Sequence, residues 1–393
     1  MNNTILNTEI QEFINSNLKS DISSLLLKGV PFKDIDSKLI IEQIEAKKRS
    51  EKKLPTWFKT SNIYYPNKLN IEQTSSEITA NYKSDLVSEK SLIDLTGGFG
   101  IDAYYFSKKV ETVTHCEINL ELSEIVKHNY KVLEADNINC LNENGIDALK
   151  RLDKPFDWIY IDPSRRDETK NKVFLLSDCT PDIKTHQALF LKYAKHVMIK
   201  TSPLLDISAT KNDLRHAKQL HVVAVNNEVK ELLWILERDF EGELTIKTVN
   251  LTKDKNEVFE FNFGDESNTI VEYSDPLTYL YEPNSAILKA GAFNSVCATL
   301  NVYKLHKHSH LYTSNELISF PGRQFLIEKV ISFNKKEFAK TGIQKANVTT
   351  RNFPLSVNDI RKKLKIKDGG LDYLFFTTDR DNNKIIIFCS KEK

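Results

Sequence analysis

The chain has 393 residues, 40% hydrophobic and 28% charged, an ordinary globular balance but too long for one compact core, so two or three domains are expected. Its N-terminus lacks a basic stretch followed by an apolar run, and no stretch approaches the roughly 18–20 apolar residues that span a bilayer. A secretory leader and a membrane partner are therefore not expected, and the five scattered cysteines, without paired spacing, predict free thiols in a reducing cytoplasm rather than a zinc site or disulfide framework.

Residues 1 to about 53 read as helical, with Ile10, Phe13, Ile14 and Leu18 at helix spacing and Ile40, Ile41 and Ile44 forming a second stripe. Leu54-Pro-Thr-Trp57 breaks this run, because proline disfavours helical geometry in the residue before it. A connector is expected to about residue 85. From Ser91 the pattern changes to short apolar runs alternating with amphipathic segments: strands at Leu92–Leu95, Thr112–Glu117, Ile138–Leu141, Trp158–Asp162, Val197–Lys200 and Val222–Val225, with helices between them. Such alternation predicts an α/β fold, a mostly parallel sheet covered on both faces, over residues 86–255. Glu231–Leu236 and Leu244–Leu251, separated by Arg238-Asp-Phe-Glu-Gly242, read as a closing hairpin.

Beyond residue 255 the pattern is less regular, with Pro276 and Pro283 marking loops. Val258–Phe263 and Phe325–Ser332 are strand-like, and Ser356 followed by Asp359 marks a helix start. Tyr373–Thr377 and Lys384–Cys389 read as strands joined by the turn at Asp379–Asn383. The total net charge of +1 hides an asymmetry: Glu316–Lys393 holds 16 Lys+Arg against 9 Asp+Glu, a net of +7, which leaves −6 on the rest. A basic end on a slightly acidic body suggests contact with a polyanion, and Arg351, Arg361, Lys362, Lys363, Lys365 and Lys367 are the candidate phosphate contacts. An ordinary solvated helix face remains open for Arg361–Leu364.

The strongest chemical signal is Leu92-Ile-Asp-Leu-Thr-Gly-Gly-Phe-Gly-Ile-Asp102, a strand running into a glycine-rich turn that opens a helix. Such a turn lets backbone approach a ligand closely, and Asp94 stands at the strand's carboxyl end, where it can reach that ligand. The spacing Asp-x-x-x-Gly-x-Gly lacks the third glycine of the dinucleotide fingerprint and resembles the first S-adenosylmethionine (SAM) motif of class I methyltransferases. This makes Asp94, Thr96, Gly97, Gly98, Phe99 and Gly100 the candidate cofactor loop. Glu117, ending the second strand, can accept both ribose hydroxyls, and Asp147, after the third, can contact the adenine amino group or cap the next helix.

Trp158-Ile-Tyr-Ile-Asp-Pro-Ser-Arg-Arg166 closes the fourth strand. Amino-methyltransferases carry Asp/Asn-Pro-Pro-aromatic there, whose polar groups hold an exocyclic amine while the ring stacks on the base. Asp162 and Pro163 are kept, and Arg165 replaces the aromatic; a guanidinium also stacks on bases or contacts phosphate, so Arg165 and Arg166 are candidate nucleic-acid contacts. Asp162, Pro163 and Arg165 form the candidate catalytic set. The fifth strand leads into Ile199-Lys-Thr-Ser-Pro203 with no cysteine, which favours direct transfer to nitrogen or oxygen over a covalent intermediate.

Taken together, Leu54-Pro-Thr-Trp57, the segment Glu72–Lys83, the glycine loop, Asp-Pro-Ser-Arg-Arg, Asn227–Leu233, Tyr281–Gly291 and Ala346–Pro354 resemble the class I SAM-dependent methyltransferases of Bacteroidetes with a C-terminal THUMP-like domain. The resemblance implies a Rossmann-like catalytic domain with a mostly parallel seven-stranded sheet, SAM as cofactor, a small α+β ferredoxin-like unit over 256–318 before an α+β THUMP-like end over 319–393, and RNA, tRNA or rRNA, as the partner. The expected activity is methyl transfer to a base nitrogen of structured RNA. The alternatives are a protein or small-molecule acceptor, or a non-catalytic RNA-binding protein that keeps SAM.

Overall fold

The computed structural model describes residues 1–165 and 176–391. It resolves into two compact units: Met1–Lys218 with Leu232–Gly242, and Gln219–Glu231 with Glu243–Lys393.

The first unit opens with α1 (Thr8–Ser16), α2 (Ile22–Lys28) and α3 (Ser37–Lys53). Asn7, Asp21 and Asp36 cap them with side-chain oxygens on first-turn amides, satisfying donors that a helix start leaves unpaired. The expected connector is itself helical, as α4 (Pro55–Lys59), α5 (Lys68–Gln73) and α6 (Glu77–Ser84). Pro55 stands at the first helical position of α4, where its missing N–H costs nothing. The sheet region then runs β1 (Ser91–Asp94), α7 (Ile101–Phe106), β2 (Thr112–Cys116), α8 (Leu120–Val132), β3 (Ile138–Leu141), α9 (Gly145–Leu152) and β4 (Phe156–Ile161). A two-residue ladder joins β5 (Ser164–Arg165) to β6 (Cys179–Thr180), followed by α10 (Ile183–Tyr193), β7 (Ala194–Thr201) and α11 (Ile207–Asp213).

The strand order within this unit is β3-β2-β1-β4-β7, all parallel, with Leu232–Glu237 antiparallel to β7. The order reverses between β1 and β4, and ligands of open parallel sheets bind at such a switch point, outside the carboxyl ends of the strands. Next come β8 (Ala217–Val225) and β9 (Glu228–Glu237), two strands that the boundary between the units divides. The first unit thus holds six strands of a sheet that runs to nine, two more than the seven the resemblance implies, and most of β8 belongs to the second unit.

A buried carboxylate is among the groups that bind the helices before β1 to the sheet region. Glu77 accepts from the Thr56 amide at 2.6 Å, the Thr56 hydroxyl at 2.7 Å and the Tyr105 hydroxyl at 2.8 Å. Beside it the buried Trp57 packs edge-on against Tyr104 at 4.9 Å.

The second unit continues with β10 (Thr245–Leu251), β11 (Asn256–Asn262), α12 (Asp265–Asn268), β12 (Tyr279–Pro283), α13 (Ser285–Ala290), α14 (Ser295–Leu300), β13 (Tyr303–Lys304) and β14 (Tyr312–Ser314). It closes with β15 (Gly322–Ser332), α15 (Lys335–Ala339), β16 (Lys345–Thr350), α16 (Val357–Leu364), β17 (Lys367–Thr378) and β18 (Lys384–Lys391). The expected hairpin of Glu231–Leu236 with Leu244–Leu251 does not form. Instead β10 pairs parallel to β8 and antiparallel to β11. The tight reversal lies earlier, at Asn226-Asn227, where both residues take positive φ (49° and 64°), the geometry that matches the twist of a two-residue hairpin. The later strands form one seven-stranded sheet, β13-β14-β12-β15-β18-β17-β16. Ser356 and Asp359 make the expected capping box at α16.

Replacing Glu77 with Ala strands three donors, two of them held by Thr56, and is expected to lower unfolding stability by about 2–3 kcal/mol. Urea denaturation of the full chain measures it.

Candidate functional site

Three of the first unit's parallel strands end together around residues 95–100. The Leu95 amide donates to the Tyr160 carbonyl at 3.0 Å and the Gly97 amide to the Cys116 carbonyl at 2.8 Å. The turn between β1 and α7 is thereby tied to β4 on one side and β2 on the other. Gly98 and Gly100 take φ of +56° and +76°, a region side chains rarely adopt. At Gly97 a Cβ would lie 2.2 Å from the His115 ring, and at Gly145, opening α9, 2.2 Å from the Leu95 carbonyl. His115 is fully buried, and burial pushes it down to about 4, so its ring is neutral beneath the turn.

Around this loop the structure gathers most of the sequence-predicted residues. Asp94 is 1% exposed and accepts from the Thr96 amide at 3.0 Å and its hydroxyl at 3.4 Å. Burial drives its carboxyl well above the ordinary value despite the Thr96 amide. The Thr96 hydroxyl also accepts the Asp162 amide at 2.7 Å, which joins the end of β1 to the end of β4. Glu117, just past β2, accepts from the Gly98 amide at 2.9 Å and the Asn119 amide at 2.7 Å. Its burial still outweighs those donors and holds its carboxyl above the usual range. Phe99 is buried and packs near Trp57, with ring centroids 6.4 Å apart.

Asp147 is exposed on the first turn of α9 and does not cap it; Asn144 does. It lines a cavity of about 360 Å³ with Leu95, Gly145, Thr180, Pro181 and His186. Pro163 follows Asp162, half-buried, and Arg165 belongs to β5, paired in register with Cys179. Arg166 lies outside the described residues.

Sequence reasoning passed over four groups. Lys200, near the end of β7, makes a close ion pair with Asp162. Behind the loop, Lys83 is fully buried and pairs with Asp102 at 3.1 Å. Asp102 also accepts from Ser75 and Tyr160, each at 2.8 Å. Burial pushes the Asp102 carboxyl upward, but the charges of Lys83 and Lys200 and these hydroxyls outweigh it and hold it below the ordinary value. Glu77 is the fourth. The available signals were Asp102 as the second residue of α7 and Lys200 inside Ile199-Lys-Thr-Ser-Pro203, a segment that attracts attention chiefly for its missing cysteine.

The basic candidates lie in the second unit. Arg351, together with Arg323, pairs with the buried Glu282. Arg361 pairs with Asp368. Lys362 and Lys363 are exposed on α16, the Lys363 ammonium 5.1 Å from the centre of the Phe333 ring. Among the described residues no group of three or more His, Cys, Asp or Glu could hold a metal, and no helix is long and apolar enough to cross a membrane.

Three family models match the chain: "Conserved hypothetical protein 95" over residues 52–222, a ferredoxin-like domain over 279–321, and a THUMP-like domain over 322–391. The last two share one sheet, since β12 pairs with β15. A crystal structure named "putative methyltransferase from Porphyromonas gingivalis W83" is 32% identical, with a TM-score of 0.90 and 100% of both chains covered. The chain belongs to this class I methyltransferase family with a THUMP-like C-terminal domain. A curated Mycoplasma mobile protein named as an uncharacterized RNA methyltransferase is 26% identical over 176 residues, 42% of this chain and 48% of that protein. The match thus spans about half the length of that curated relative.

In this methyltransferase the turn tolerates no added carbon where backbone meets backbone. Gly145→Ala must displace the Leu95 carbonyl and is expected to cost about 1–3 kcal/mol. A denaturation midpoint equal to that of the wild type would show that α9 can move away from β1.

Proposed function

We propose that the first unit binds SAM at the carboxyl ends of β1 and β2 and transfers its methyl group to a base nitrogen of structured RNA, tRNA or rRNA, without a covalent enzyme intermediate. The observation that carries this reading is the Thr96 hydroxyl, which joins the cofactor-side acid Asp94 to the Asp162-Pro163 turn across the switch point of the sheet.

The residues present suit such a cofactor. A Cβ at Gly98 would meet nothing nearer than the Thr96 carbonyl at 3.8 Å, so the crest of the loop opens to space. Glu117 stands at that crest with both oxygens anchored by backbone amides, and a carboxylate so fixed can accept two ribose hydroxyls. The cavity beside Asp147 is suited to the adenine ring. SAM, when bound, supplies an electrophilic methyl group. Asp162 holds the acceptor amine by accepting its N–H, and Pro163 stiffens the turn that presents it. Among the described residues no disulfide joins the five cysteines, four of which are buried. Burial pushes the Cys116 and Cys389 thiols upward, which suits structural packing rather than nucleophilic attack.

RNA as the acceptor draws on the name of the Mycoplasma relative, the THUMP-like match and the exposed lysines of α16. The test offers the purified protein and methyl-labelled SAM to tRNA, rRNA, DNA and protein fractions from cells lacking the gene. Label is expected in one RNA fraction. Asp162→Ala is expected to lower turnover on the order of 100-fold while SAM still binds, the pattern of a lost acceptor contact. Label in protein alone, or in nothing, would overturn the RNA assignment.

Glu117 gives a pH test. Because burial holds its carboxyl above the ordinary value, it takes up a proton at a higher pH than a free glutamate and then cannot accept both ribose hydroxyls as a charged group. SAM affinity should weaken as pH falls, over a range above that of an ordinary carboxylate, with Asp94 adding to the same limb. Calorimetry should find Glu117→Gln on the order of 10-fold weaker at neutral pH and flatter against pH. An unchanged slope would remove Glu117 from the ribose role.

A further inference from the structure

Asp162 does not stand alone at the end of β4. The parallel register sets Ile161 opposite Ile199, so the residues that follow, Asp162 and Lys200, emerge side by side. The Lys200 ammonium rests on Oδ2 of Asp162, with the lysine side chain 14% exposed and the aspartate 34%. Oδ2 is thereby occupied. The main chain of Asp162 is fixed independently by its amide's bond to Thr96. The charge of Lys200 reaches inward as far as the buried Asp102.

We propose that Lys200 is a positioning residue for methyl transfer: it holds Oδ2 of Asp162, turns Oδ1 to the incoming amine, and neutralises the carboxylate beside the sulfonium of SAM. This rests on the reading of Asp162 as the group that orients the acceptor. Two physical needs meet here. A half-exposed aspartate with no partner rotates about its side-chain bonds, and an acceptor misplaced by about 1 Å can lose on the order of 100-fold in rate. As the N–C bond forms, positive charge grows on the amine nitrogen, so the carboxylate favours the transition state only while it is held on that amine; Lys200, bound to Oδ2, keeps it there rather than turned toward the sulfonium. In the transfer itself the acceptor nitrogen's lone pair forms the new N–C bond and the C–S bond breaks with its electrons left on sulfur. The surplus N–H proton passes by way of Oδ1 to water.

The test compares full-length wild type, Lys200→Met and Lys200→Arg by two readouts. One is kcat and KM on the labelled RNA fraction. The other is the ratio of SAM to S-adenosylhomocysteine affinity, measured by calorimetry with no acceptor present. In Lys200→Met, kcat is expected to fall on the order of 100-fold with little change in the KM for RNA. The loss of a cation beside the sulfonium should raise the SAM preference on the order of 5-fold. Lys200→Arg should restore most of the rate and the wild-type ratio. A Met variant that keeps both rate and ratio overturns the proposal. So does a lost rate with an unchanged ratio and no rescue by Arg, which would mark a merely structural pair. Wild-type protein that labels no acceptor defeats the RNA reading instead, and the affinity ratio still decides the role of Lys200.

Discussion

The backbone of residues 95–100 lies closer to its neighbours than side chains would permit, and the site depends on that approach. Gly97 sits on the His115 ring and Gly145 on the Leu95 carbonyl, each with no room for a Cβ. Because the turn is pressed down at these points, its amides meet the ends of β2 and β4 instead of water. Asp94, Glu117 and Asp162 come from three strands yet converge on one loop, and Thr96 and Gly98 bond to all three. Were the loop looser, each acid would still end its strand, but the set would lose its common frame.

That convergence brings a difficulty, since carboxylates brought together in a poorly solvated place repel one another and resist ionisation. The charges of Asp102 and Asp162 both add to the upward push on the Asp94 carboxyl. The fold answers with lysines. Lys83 comes from α6 to meet Asp102, and Lys200 from β7 to meet Asp162. The consequence is a division of character among similar residues: Asp102 is held ionised by its partners, while Asp94 is pushed toward the protonated form by burial. Ion pairs of this kind add little net stability, because desolvation offsets their attraction, so their value is orientation. The helices before β1 belong to the same argument. They supply Ser75 and Lys83 to Asp102 from below, while Glu77 fixes them to α7.

What could be read in the sequence was what local pattern determines. The β1 turn, the strands of the parallel sheet and the cap of α16 follow from periodicity and from glycine, serine and aspartate at fixed offsets, and they stand where that pattern puts them. The hairpin was misread for a local reason too. Arg238–Gly242 looks like a turn and is one, but Asn226-Asn227 reverses the chain in two residues by taking positive φ at both, so β9 turns back beside the strand before it. Lys200 was invisible for a different reason. Nothing in Ile199-Lys-Thr-Ser-Pro203 announces a partner 38 residues earlier; only the β4–β7 register does. Pairings across the sheet, not motifs, completed the site.

The basic end of the chain shows how far composition carries. Its surplus of positive charge was counted evenly over arginine and lysine, yet the two behave differently in the second unit. Arg323 and Arg351 clasp the buried Glu282 and Arg361 meets Asp368, pairings in which a planar guanidinium can engage a carboxylate through more than one N–H. Those arginines serve the fold. Lys362, Lys363, Lys365 and Lys367 remain exposed, on α16 or close after it. Lysine presents a mobile point charge, suited to phosphates and poorly suited to reading base edges. In the proposed RNA reading, then, the second unit would supply backbone attraction that weakens with salt, and recognition of the base would fall to the residues around Asp162.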